Sequence, residues 1–159
     1  VLDPEDQRRL EVAEGYADLG MFLDALAELD AIAPESRDKP EVLAARVPIY
    51  AKLEKWELMQ TVARRLVIGE PEHVEWIVSL AYATRRTETI EAAKTMLLDA
   101  VERHPSAAIL HYNLACYECQ LGQIEVAKAR LGHAFRLDAN LRALALEDED
   151  LERLWDSLG

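Results

Sequence analysis

Apolar residues recur along the chain with a period of 34. Gly20 and Gly122 each lie between two apolar helical patterns and stand three periods apart, with Glu54 and Glu88 at the intermediate steps. Six columns in the same phase are apolar in all four copies. They are Leu10, Ala44, Val78 and Tyr112; Ala13, Val47, Ala81 and Ala115; Phe22, Trp56, Ile90 and Ile124; Ala25, Met59, Ala93 and Ala127; Leu29, Ala63, Leu97 and Leu131; and Ile32, Leu66, Ala100 and Ala134. Within each copy the apolar positions step by three and four, the signature of amphipathic helices, with a break near the glycine position. Each copy therefore reads as two antiparallel helices joined by a tight turn. Helices are expected at about 4–18, 22–33, 40–53, 56–68, 71–85, 88–103, 106–120 and 123–136. Asp3-Pro4, Lys39-Pro40 and Glu70-Pro71 place proline at first helical positions, and Ser106 is a candidate cap.

A 34-residue helix-turn-helix unit resembles the tetratricopeptide repeat. The fourth copy carries the resemblance best, through Tyr112-Asn113-Leu114-Ala115, Gly122, Ala127, Leu131, Ala134 and Leu137-Asp138. The first matches through Tyr16, Gly20, Ala25 and Leu29, and the third through Leu80, Ala81, Ala93, Leu97, Ala100 and Pro105. The second departs from the pattern, with Glu54 in the glycine position, Met59 in an alanine position and Pro48 inside a helix. The resemblance implies an all-α fold, a right-handed α-α superhelix of four repeats at about 5–38, 39–72, 73–106 and 107–140, in one domain. Residues 141–159 would form a C-terminal capping helix over the exposed end of the stack. Leu141, Leu144 and Ala145 suit its packing face; Asp148, Glu149 and Asp150 mark a new start, with acids favourable in a first helical turn, and Leu151, Leu154 and Trp155 then share one face.

Composition agrees. The 159 residues are 50% apolar and 30% charged, rich in good helix formers and poor in glycine and proline. No apolar run approaches the ~20 residues that span a bilayer. The N-terminus lacks the pattern of a signal peptide, so the expected location is cytoplasmic. The net charge is −12, which disfavours nucleic acid as a partner. The charge is uneven: residues 1–37 carry net −7, 38–140 net −1 and 141–159 net −4.

Motifs that would carry catalysis are weak. Cys116 and Cys119 form a Cys-x-x-Cys within a helix, without a second pair for a zinc site. A helical i,i+3 pair is also poorly placed for a disulfide. His73, His104, His111 and His133 are scattered, and no serine lies in a nucleophile motif. The chain is therefore read as a binding protein, not an enzyme, with no cofactor and no metal. A metal or redox role for the cysteine pair is the alternative from another class.

In the resembled family the first helix of each repeat lines a concave groove. That implies groove columns Leu10, Ala44, Val78, Tyr112; Glu11, Ala45, Ser79, Asn113; Glu14, Pro48, Tyr82, Cys116; and Ala17, Ala51, Arg85, Cys119. Asp18, Lys52, Arg86 and Gln120 fall at the rim. The peptide-binding candidates are Glu11, Glu14, Asp18, Lys52, Tyr82, Arg85, Arg86, Tyr112 and Asn113. A bound peptide would lay its basic part near Glu11 and Glu14 and its acidic part near Arg85 and Arg86. Some family members grip a C-terminal carboxylate with Lys, Arg and Asn. Here Glu11, Ala45 and Ser79 share the Asn113 column and Glu14 replaces a wanted Asn, so that clamp is absent or altered. The expected function is a scaffold for a protein or peptide partner, with no nucleic-acid or membrane partner. Self-assembly through the C-terminal cap, or work as a secretion or assembly chaperone, are the alternatives.

Overall fold

The computed structural model describes residues 1–158. Its regular structure among them is helical throughout: α1 (Pro4–Asp18), α2 (Phe22–Asp30), α3 (Pro40–Lys52), α4 (Trp56–Gly69), α5 (Val74–Thr87), α6 (Ile90–Arg103), α7 (Ala108–Gln120), α8 (Ile124–Leu137), α9 (Leu141–Ala145) and α10 (Trp155–Leu158). Two 3-10 segments, Pro34–Ser36 and Glu149–Leu154, complete it. The chain divides into two compact units, Val1–Ala83 and a second beginning at Thr84.

In the first unit α1 packs on α2, α3 on α4, and α3 also touches α1 and α2. Leu10, Ala13, Ala25, Leu29, Ile32, Val42 and Ile49 bury together, and Leu43, Val47, Met59, Val62 and Leu66 form a second cluster. In the second unit α7 packs against both α6 and α8. The alanine columns have a physical reason. Ala13, Ala25, Ala81, Ala93, Ala115 and Ala127 are completely buried, and a small side chain lets packed helices approach closely; Val47 and Met59 fill the same columns in the second repeat.

The turn column explains the periodic glycines. Gly20 and Gly122 adopt φ of 75° and 79°, the left-handed conformation that closes a helix. At Gly20 the Met21 amide donates to the Tyr16 carbonyl and the Gly20 amide to Ala17. The pairs Lys55 to Tyr50 with Glu54 to Ala51, and Gln123 to Glu118 with Gly122 to Cys119, repeat that closure. Glu54 is thus forced to φ 55°, where its Cβ is strained. Glu54→Gly is expected to raise stability by ~1 kcal/mol, read as a higher urea midpoint at unchanged slope. The third repeat turns differently. The Glu88 amide donates to Thr84, and the Thr89 hydroxyl caps α6 at the Ala92 amide.

Two helix starts differ from expectation. α5 begins at Val74 and not at Pro71, because Glu70 captures the chain in a turn. Its carbonyl accepts from the His73 amide and its carboxylate from the Trp76 indole. α7 begins at Ala108 without a side-chain cap, so Ser106 does not cap it. The capping region makes the new start expected at Asp148–Asp150, but as a 3-10 segment and not as a continuous helix. Asp148 accepts the amide of Asp150 at 3.0 Å, which breaks the run after α9 and starts the 3-10 segment. Asp3, by contrast, caps α1 as its Asp-Pro pair predicts, through the amides of Glu5 and Asp6.

Asp6 is buried at the far end of the first hairpin and accepts the Ala33 amide at 3.0 Å. That bond is the main reason its carboxyl titrates below the usual range, against an opposing contribution from burial. The stability it contributes is therefore complete above the unfolded value of ~3.9 and is lost as pH falls through the lower folded value. Asp6→Asn is expected to lower stability at pH 7 and to flatten the loss between pH 5 and pH 2, measured by urea unfolding across that range.

Candidate functional site

In each unit residues of the first helices line a surface, and the two surfaces differ. In the first unit, α1 and α3 enclose a cleft of about 400 Å³. Its floor is Ala17, Ala44, Ala45, Pro48 and Ile49, and its walls carry Glu14, Asp18 and Glu41. Those three carboxylates are exposed, and no base lines the cleft. Pro48 shapes the floor chemically. α3 runs through it unbroken, but proline has no N–H, so the helical bond to the Ala44 carbonyl cannot form. The Ala44 carbonyl thereby loses its helical donor, on a floor of small apolar side chains and the Pro48 ring. Volumes of this order suit a few side chains of a ligand.

In the second unit the corresponding surface is covered by the chain's own C-terminal segment. The Tyr112 hydroxyl donates to Asp148 Oδ2 at 2.8 Å, and the Cys116 thiol approaches the same oxygen at 3.7 Å. Arg85 makes a two-pronged pair with Asp150, at 2.5 and 3.0 Å, and its guanidinium lies 5.4 Å from the Tyr117 ring centre. Gln120 donates to the Asp150 carbonyl at 2.9 Å. Behind this polar front Leu151 and Leu154 are fully buried. Burial, and then the neighbouring carboxylates, push the Tyr112 hydroxyl and the Cys116 thiol well up, so both keep their protons to donate. Burial likewise raises the Cys119 thiol. Both cysteines are free thiols.

Ligand atoms of Cys116, Asp148 and Asp150 lie within 4.8 Å of one another. The cluster is nevertheless a hydrogen-bond network: Arg85 holds one carboxylate, Tyr112 the other, and the thiol is protonated. It offers three ligand atoms where structural zinc takes four, and a cation would have to displace Arg85.

The other residues singled out in the sequence fall in several places. Glu14 and Asp18 line the cleft, whereas Glu11 sits on the exposed side of α1 and accepts from Gln7. Lys52 and Arg86 are exposed. Tyr82 packs edge-on against Trp56, with ring centres 5.5 Å apart. Asn113 donates to the Ile109 carbonyl one turn earlier, which occupies its amide within its own helix. His111 and His133 stack edge to face at 4.5 Å, with His111 Nε2 2.8 Å from the Pro105 carbonyl. Sequence reasoning missed Glu41 and Ile49, although Glu41 lies one turn before Ala45 on the same face of α3. It also read Asp148 and Asp150 only as a helix start, not as partners of Tyr112 and Arg85.

No family model and no curated protein matches the sequence. Among solved structures the chain is similar to TTC0263, titled a thermophilic TPR protein of Thermus thermophilus. The TM-score is 0.74 and the identity 23%, over 97% of this chain and 83% of that one. It is also similar to a MamA RS-1 double mutant, with TM-score 0.73 and 15% identity over 87% and 78% of the two chains. A third is MamA MSR-1, with TM-score 0.68 and 18% identity over 83% and 76%. Likeness at these identities establishes the fold.

Proposed function

We propose that this chain, which has the tetratricopeptide-repeat fold, is an interaction scaffold whose first unit binds a basic segment of a partner protein. The observation that carries the reading is the cleft between α1 and α3, where Glu14, Asp18 and Glu41 surround a small-residue floor. The carboxylates supply acceptors and negative charge, and the Ala44 carbonyl freed by Pro48 supplies a further acceptor. A Lys- or Arg-bearing segment with a small apolar anchor satisfies all of them. Helical repeats support this role physically, because a rigid stack of first helices holds side chains in register for an extended ligand.

Catalysis has no support in this surface. Its carboxylates are exposed, and a general acid or base needs a group held and tuned in a water-poor site. Among the described residues no helix is long and apolar enough to cross a membrane. No residue of the cleft selects the secretion- or assembly-chaperone variant of the reading.

A displayed random peptide library selected on the whole chain tests the proposal. Selected peptides are expected to be rich in Lys and Arg around a small apolar residue. Glu14→Lys with Asp18→Lys is expected to weaken a selected peptide at least ~10-fold, and binding should fall steeply with salt. Selection of neutral or acidic peptides, or affinity unchanged by the charge reversal, would overturn it.

A further inference from the structure

We propose that the inner surface formed by α7 and the end of α5 is a second recognition site, specific for acidic segments of the pattern Asp-x-Asp-Leu-x-x-Leu. Residues 148–154 are then its built-in, displaceable occupant. The inference rests on the reading of the chain as a peptide-binding scaffold, but not on the cleft between α1 and α3.

A lid that only shields the last repeat needs apolar contact and little else. This segment is held by more. Four side chains converge on two carboxylates and one carbonyl: Tyr112 and Cys116 on Asp148, Arg85 on Asp150, and Gln120 on the Asp150 carbonyl. Arg85 projects from α5, and Tyr112, Cys116 and Gln120 project from α7. Leu151 and Leu154 enter the apolar ground beyond, while Glu149, Glu152 and Arg153 between them stay exposed. Reading some positions and leaving the rest in water is how a peptide is recognised, with anchors at fixed spacing.

The donor set also states the chemistry of the occupant. The buried Tyr112 hydroxyl and Cys116 thiol lose this acceptor if Asp148 leaves, and Arg85 loses its two-pronged pair with Asp150. Two acids at i and i+2 satisfy both stations again, whereas a neutral peptide offers neither a carboxylate for Tyr112 nor a two-pronged partner for Arg85. Leu146 and Glu147, both exposed, form the tether on which the segment leaves and returns.

The test uses the whole chain and a fluorescein-labelled peptide of residues 147–158, read by fluorescence anisotropy. The tethered segment competes at an effective concentration near millimolar, so wild type is expected to bind the peptide weakly. Asp148→Ala with Asp150→Ala is expected to bind it at least ~10-fold tighter, and adding Arg85→Glu to abolish that gain. A peptide with both aspartates changed to asparagine is expected not to bind. Equal affinity in wild type and the opened variant, or binding that survives Arg85→Glu, would overturn the proposal.

Hydrogen exchange on wild type decides the question even where a variant unfolds. Amides of 148–154 are expected to exchange faster than those of α7, and faster again with excess unlabelled peptide. Exchange of the segment only through global unfolding would make it a fixed part of the fold and refute displacement. A mass that doubles with concentration and reverts on Asp148→Ala would seat a second copy's segment there, refuting a foreign partner. Glu14→Lys with Asp18→Lys is expected to leave the acidic peptide's binding intact, so failure of one site is distinguishable from failure of the other.

Discussion

Arg130→Met is expected to destabilise the protein by ~3–5 kcal/mol, the usual consequence of leaving a buried charge without its partner. Glu118 lies on α7 with no exposed surface at all, and its Oε1 accepts from Arg130 Nε on α8. Among the described residues the second oxygen, Oε2, is buried without a protein donor, and Arg130 is the ion-pair partner of the carboxylate. With Met in place of Arg130 the carboxylate is left buried between α7 and α8 without its ion-pair partner. Glu118→Leu in the same chain is expected to recover most of the loss, because a well-packed apolar pair replaces a buried ion pair at little cost. Urea unfolding of wild type, both single variants and the double variant closes the cycle. A loss under ~1 kcal/mol for Arg130→Met would show that the pair is not what stabilises this hairpin.

Pro48→Ala is expected to do the reverse, stabilising the first unit by up to ~3 kcal/mol while weakening ligands of the cleft. Alanine restores the N–H that α3 lacks at this turn, so the Ala44 carbonyl is taken up within the helix. Pro48 is exposed at the cleft floor, and its neighbour Ile49 is buried in the core of the unit. The substitution therefore changes the floor without emptying the core. The expected readings are a higher thermal midpoint and a several-fold weaker affinity for a basic peptide selected on wild type. A gain in stability with unchanged affinity would remove the Ala44 carbonyl from the site and leave the carboxylates alone to carry it.

The helical hairpins were legible because they rest on local periodicity. Apolar steps of three and four mark a buried stripe whatever else the chain does. The Gly20 and Gly122 turns were legible because a positive φ is cheap only for glycine. Even the Glu54 exception was visible as a departure from the column, and the structure shows the same turn forced through it. The start of α5 was not legible, since proline at a first helical position and proline in a preceding turn look alike. What separates them is the Glu70 side chain reaching Trp76, six residues on.

The site divides along the same line. Glu14 and Asp18 were recognisable from the resemblance, which implies Glu14 in the groove and Asp18 at its rim, and both line the cleft with α3 residues. Asn113 was marked in the same way, but a groove column does not reveal that its amide turns back to Ile109. Arg85 was picked out, with Arg86, for the acidic part of a bound peptide, and Tyr112 as a groove residue. The structure puts an acidic segment against Arg85 and Tyr112, and it is the chain's own.

The sequence by itself determined the all-helical architecture, the 34-residue repeat, the turn column and the small-residue helix contacts. Each of these follows from interactions between residues a few positions apart, repeated in phase. Only the tertiary structure decided where the C-terminal segment lies and which carboxylates have partners. Those contacts join residues as distant as Arg85 and Asp150, 65 positions apart, and no local pattern encodes them. Their energy comes from burial and from matching donors to acceptors, and both exist only once the repeats have packed.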